Sequence, residues 1–210
     1  MTDTALREAL AMHGRSLYER GYAHGSSGNL SARLADGILI TPTGSCLGRL
    51  DPSRIAVVAA DGTPISGDQP SKEAFLHLAM YAERPAAGAI VHLHSKHAVA
   101  ISCLDHRDTG NVLRPLTAYQ MMRVGRLPLV PYYRPGDRAL AEAVRQVAGR
   151  HRAVLLANHG SVVAGRSIDD AVDCAEELEA TAALALLLGD RPVRELTPAQ
   201  IAELEAAFPS

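Results

Sequence analysis

The stretch AIVHLHSKHA, Ala89 to Ala98, limits what this chain can become. Its aliphatic residues predict a buried strand from Ala89 to His94. A buried strand needs a sheet with other elements packed upon it. Into that run the chain sets two imidazoles, His92 and His94. Side chains two apart on a strand leave on the same side, so the two rings stand together. Two readings are open for them. They are histidines satisfied by their surroundings, or two nitrogen ligands for one divalent cation.

The flanking sequence supplies the rest of a sheet and its covering helices. Thr4 to Gly21 reads as an amphipathic helix with Leu6, Leu10 and Leu17 near one face and Gly21 as its stop. Asn29 to Arg33 and Ile38 to Thr41 read as two strands joined at Asp36-Gly37, and RIAVVAADGTPIS repeats the hairpin around Asp61-Gly62. Ser71 to Glu83 reads as a helix capped by Ser71 and ended before Pro85. Another helix starts near Ser95, and Asp137 to Gly149 and Ser167 to Leu188 are two more. AVLLANHGSVVAG gives two apolar strands broken at Asn158-His159-Gly160, and a short helix follows Thr197 and Pro198. Strands interleaved with helices, several joined by hairpins, predict a mixed sheet with helices packed on it.

With 210 residues, 47% of them hydrophobic, the chain can build one domain, 1–210, around a large core. The net charge of −2 comes without a basic stripe, which argues against nucleic acid as a partner. Three dispersed cysteines, Cys46, Cys103 and Cys174, form no CxxC pair and no disulfide framework. MTDTALREALAMHGRSLYERG carries charges throughout and has no leader core, and ATAALALLLG is too short to span a bilayer. The expectation is a soluble protein of the cytoplasm, away from membranes.

His159, at the break between two apolar strands, is placed to reach the His92/His94 pair as a third ligand. His24, His77 and His97 are weaker candidates; His13, His106 and His151 read as surface residues. Three small polar stretches lie upstream. GSSGNLSAR (Gly25 to Arg33) and TPTGS (Thr41 to Ser45) let backbone approach a ligand, though such loops are commonly just turns. In QPSKEAF (Gln69 to Phe75) a helix start with Ser71 and Lys72 suits a phosphate, and Glu73 is by itself an ordinary first-turn carboxylate.

In order along the chain, GSSGNLSAR, TPTG, SKE before a helix, IVHLHS and LLANHGSVVAG leading into AVDCAEELEATA resemble the class II aldolase/adducin family, over Gly21 to Leu187. The resemblance implies a three-layer α/β/α sandwich around a central, mostly antiparallel sheet. It implies a catalytic divalent metal on His92, His94 and His159: zinc, with manganese or cobalt as alternatives. Glu73 becomes the acid/base carboxylate, in some members also a ligand. Asn29, Thr43, Gly44, Ser71 and Lys72 fall where the family holds a substrate phosphate. Homotetramers with active sites at subunit interfaces are the implied assembly.

Within the family, Ser71-Lys72-Glu73 departs from the two hydroxyl residues that often precede the glutamate in its aldolases. HGSSGNLSARL, TPTGSCLGRLDP, SGDQPSKEAFLH and PLTAYQMMRVGRLPLVPYYRPGD resemble the branch that decarboxylates 3-oxo-tetronate 4-phosphates. That branch implies a lyase making dihydroxyacetone phosphate and carbon dioxide through a zinc-stabilised enediolate, with Tyr119 as a second proton donor; by itself Tyr119 reads as a half-buried core residue. The alternatives are a fuculose-phosphate-type aldolase, a 4-epimerase, or a non-catalytic adducin-like interaction domain. The last would be expected to have lost metal ligands.

Overall fold

A computed structural model describes residues 2–208. In chain order the elements are α1 (Asp3–Glu19), β1 (Asn29–Leu34), β2 (Gly37–Ile40), β3 (Ala56–Ala59), β4 (Pro64–Ser66), α2 (Ala74–Glu83), β5 (Ala89–Leu93), α3 (Lys96–Ser102), α4 (Ala118–Arg123), β6 (Leu129–Val130), α5 (Ala139–Ala148), β7 (Ala153–Leu156), β8 (Gly160–Gly165), α6 (Ile168–Leu188) and α7 (Pro198–Ala207). The strands form one eight-stranded sheet in the order β4-β3-β2-β1-β5-β8-β7-β6. Every pairing is antiparallel except β6 with β7. The mixed sheet of the sequence reading is therefore present, with β5 near its centre.

Strand alternation sorts the core into two layers. Leu30, Ala32, Leu39, Val91, Leu93 and Val163 pack with Leu10 and Leu17 of α1, Ile101 of α3 and Leu178 of α6. Ile38, Ile40, Ile90, Val154 and Val162 pack on the other side with Leu76 and Met80 of α2 and Leu140 and Val144 of α5. This is the α/β/α sandwich. Asn29, Ser31 and His92 share the parity of the second layer. They therefore face α2, and the site is built on that side.

Several boundaries differ from the sequence reading by a residue or two, β5 ending at Leu93 rather than His94 among them, and three differ for clear physical reasons. Helix α2 starts at Ala74 rather than Ser71: the Ser71 hydroxyl accepts the Glu73 N–H in a tight turn, and Glu73 sits at the N-cap without capping, its carboxylate directed elsewhere. Helix α5 starts at Ala139, because Asp137 accepts the Ala139 N–H just outside it. The first hairpin turns at Ala35-Asp36, and Gly37 already belongs to β2. Short α4, capped by Thr117, and two-residue β6 were not expected.

Candidate active site

The two expected ligands on β5 meet the third at the end of the β5–β8 pair. His92 lies opposite Val162, His94 follows the last residue of β5, and His159 precedes the first residue of β8. The three rings sit edge to face with centroids 4.7–5.0 Å apart. His92 is fully buried, and its Nδ1 donates to the Ser161 carbonyl at 2.8 Å, which fixes Nε2 as the atom facing the site. Burial, then the charges of His92 and His159, push His94 down to about 3, so its ring stays neutral, with its Nε2 3.0 Å from His92 Nε2.

Two tight backbone features hold this corner. Asn158 has φ 55°, a left-handed conformation that Asn tolerates better than other side-chain-bearing residues, and it turns the chain immediately before His159. Gly160 packs on β5 so closely that a Cβ would lie 2.3 Å from the Leu93 carbonyl oxygen. Gly28, in the first glycine/serine loop, likewise lies against the His92 carbonyl oxygen, 3.0 Å from where its Cβ would be. That loop glycine therefore allows close packing against β5.

Glu73 closes the cluster. Its Oε2 is 3.3 Å from His92 Nε2 and its Oε1 is 3.3 Å from His159 Nε2. Burial pushes its carboxyl up, but the charge of His92 and hydrogen bonds with His159, His92 and Asn29 outweigh that and hold it well below the usual carboxylate range. Burial in turn pushes His92 down, and the Glu73 charge overcomes it to raise the ring above its ordinary value. One ligand atom from each of Glu73, His92, His94 and His159 lies within 4.8 Å of the others. Three imidazoles and a carboxylate, with one ring already oriented through its far nitrogen, fit a divalent cation.

The two phosphate-type turns lie side by side. Pro42 bridges Pro70, Thr43 N donates to the Gln69 carbonyl, and Ser71 N donates to that of Thr41. Thr43 and Gly44 are thereby brought beside Ser71 and Lys72; Lys72 is exposed and Ser71 buried. Asn29, also expected at the phosphate, has protein partners of its own. It lies opposite His92 in the β1–β5 ladder, is 5% exposed, and gives its amide to Glu73 and His77.

The core reading of Tyr119 does not hold. It sits on α4, is 60% exposed, and lines a cavity of about 900 Å³ that also includes Glu83, Gly165 and Arg166. Glu83 ends the helix that Glu73 precedes, so ten residues at ~1.5 Å each separate Tyr119's end from Glu73's. Tyr119 is neither in the core nor beside its own chain's Glu73. Arg123, on the same helix, pairs with Asp173 at 2.7 Å. Sequence reasoning also underrated His77. Fully buried, it is bonded to Asn29 and Ser31, and only its position four residues after Glu73 hinted at this.

The sheet, the sandwich and a histidine–carboxylate cluster that could hold a divalent cation belong to a known class of protein, as comparison shows. The profile of the Class II Aldolase and Adducin N-terminal domain matches residues 8–186, and the chain belongs to that family. It is 54% identical over 205 residues to the 3-oxo-tetronate 4-phosphate decarboxylase of Escherichia coli (strain K12), covering 97% of each chain. It is 36% identical over 194 residues to the L-fuculose phosphate aldolase of Escherichia coli O6:H1, covering 90% of this chain and 86% of the aldolase. The crystal structure of YgbL from Klebsiella pneumoniae, described with the alternatives aldolase, epimerase and decarboxylase, superposes with a TM-score of 0.95 at 52% identity, covering 97% of this chain and 99% of that one. The chain is an enzyme of the lyase class. Among the described residues, no helix is long and apolar enough to cross a membrane.

Proposed function

We propose that this protein decarboxylates a 3-oxo-tetronate 4-phosphate to dihydroxyacetone phosphate and carbon dioxide. One observation carries the choice of reaction: 54% identity along nearly the whole of a decarboxylase, against 36% to an aldolase. His92, His94 and His159 would hold the metal, zinc by its donor set, with Glu73 within reach as a further ligand. When bound, such a cation supplies Lewis acidity toward the substrate's oxygens.

The chain's own groups do the rest. The substrate is a β-keto acid, so losing carbon dioxide leaves an electron pair at C2, shared with the C3 oxygen as an enediolate. C2 then takes a proton. That proton comes from solvent: Glu73, held over the histidine triangle, positions the water that delivers it or relays it after taking it from that water, and Tyr119 is the second candidate donor. Tyr119 lies far from its own Glu73 and is exposed, so it acts on a neighbouring subunit's site in a homotetramer. Thr43, Gly44, Ser71 and Lys72 hold the phosphate, with Lys72 also near enough to Glu73 in sequence to face the leaving carboxylate. The whole chain, 1–210, acts as one domain in the cytoplasm.

The test is direct. Enzyme with zinc and the oxo acid phosphate should release carbon dioxide and dihydroxyacetone phosphate in equal amounts. In deuterated water the product should carry deuterium at the carbon that lost the carboxylate. Rapid cleavage of fuculose-type phosphates, with the oxo acid untouched, would replace this reading with the aldolase.

A further inference from the structure

A buried polar chain runs back from Glu73, and counting donors fixes its proton arrangement. A carboxylate only accepts, so the Asn29 amide turns its NH2 toward Glu73 Oε2, at 2.8 Å. Asn29 Oδ1 then faces His77 Nε2, which must carry a proton. The ring is fully buried, and burial, followed by the charge of His92, pushes it down to about 3. It is neutral, so its Nδ1 accepts, and the Ser31 hydroxyl lies 2.7 Å from it. Ser31 has then used its one proton, so the Tyr81 hydroxyl, 2.9 Å away, donates to Ser31. Asn29, Ser31, His77 and Tyr81 are all buried, and every proton in the chain points toward Glu73.

We propose that His77 is a positioning residue for Glu73: in its Nε2–H form, with Nδ1 accepting from Ser31, it keeps the Asn29 amide turned with its NH2 toward the carboxylate. In the other tautomer His77 Nε2 would accept, the amide would turn over, and Asn29 Oδ1 would oppose the carboxylate, acceptor against acceptor. The chain thus sets where Glu73 stands over the histidines from two hydrogen bonds away. This deepens the decarboxylase reading and rests on it for the work Glu73 does, while the tautomer itself is independent of substrate.

Nitrogen-15 NMR of histidine-labelled protein, metal-free and zinc-loaded, reads the tautomer. His77 should appear neutral and protonated at Nε2 in both forms, and Ser31→Ala should shift it toward a mixture. Kinetics then read the consequence. His77→Leu should lower kcat by about 10- to 100-fold while zinc content and KM stay within about twofold. His77→Gln, whose amide can still donate to Asn29 Oδ1, should recover most of that loss. Should His77→Leu fail to fold, Ser31→Ala carries the kinetic test, with kcat expected to fall and KM to hold. An Nδ1–H or doubly protonated His77 in the wild type overturns the proposal. So does a folded His77→Leu with normal kcat, or one in which KM rises and kcat is kept, since that would return Asn29 to the phosphate. Wild-type enzyme inert toward the oxo acid would sink the decarboxylase reading alone, and the NMR spectrum would still decide the tautomer.

Discussion

His77 is a neutral imidazole in a fully buried place where a positive charge is costly, and that has a signature in stability. Its folded value near 3 lies below the ordinary 6.5, so below pH 6.5 the unfolded chain binds a proton that the native state refuses. Its contribution is complete above that pH and falls as pH drops toward 3, by at most roughly 1.4 kcal/mol per pH unit. Urea midpoints of metal-free wild type and His77→Gln at pH 7 and pH 5 check this. The wild type should lose more stability between them; equal losses would show that His77 does not carry the effect. His94 shifts the same way but is common to both proteins, so it cancels. At this scale the sequence was informative wherever spacing decides direction. His92 and His94 had to share a side, and His159 at a strand break had to come near them. The partners of His77 and Asn29 were not legible because they depend on which buried group each side chain meets, and no local spacing encodes that.

Each half of the site is tied to a particular element contact. The histidine corner depends on how closely β8 approaches β5 at Gly160. Gly160→Ala would drive a methyl into the Leu93 carbonyl, so it should lower zinc content, measured by metal analysis after gel filtration, in protein that still folds. Full zinc occupancy in that variant would mean the strands shift without moving His94 and His159. The carboxylate half rides on α2, which is fastened at its far end by Arg33. That guanidinium donates to the carbonyls of Tyr81, Arg84 and Ala87 and lies over the Tyr81 ring at 4.5 Å. Arg33→Met should cost about 3 kcal/mol of stability by denaturant titration, because three carbonyls lose a charged donor. A loss under about 1 kcal/mol would show that water replaces it there. The long helices and hairpins were legible because periodicity, caps and turn residues agree in them. The start of α2 was not, since the residue at its cap turns its carboxylate to the histidines. α4 and β6 were too short for any period to register.

Across the whole molecule, Glu73 and Tyr119 stand at opposite ends of α2, so the proposed function, if it uses Tyr119 as a proton donor, calls for that residue from another chain. Mixing inactive Glu73→Gln with inactive Tyr119→Phe, after dissociation and reassembly, should restore up to roughly a quarter of the sites in a randomly mixed ring, since each site needs one sound residue from each chain. No recovery would confine both residues to one subunit or remove Tyr119 from the reaction. The assembly could not be read from periodicity; only the resemblance to the family suggested it. The pairing of Asn29 with His92 across β1 and β5 has a further bearing on how the chain avoids misfolding. A slip of one residue in that ladder would turn Leu30 and Ala32 toward α2 and send Asn29 and Ser31 into the apolar layer. Such a sheet could still collapse, but it could not assemble the carboxylate with the histidines. Uptake of a divalent cation would therefore report on register: strands threaded out of step could not bring Glu73 to His92, His94 and His159, so such chains would fail to bind it.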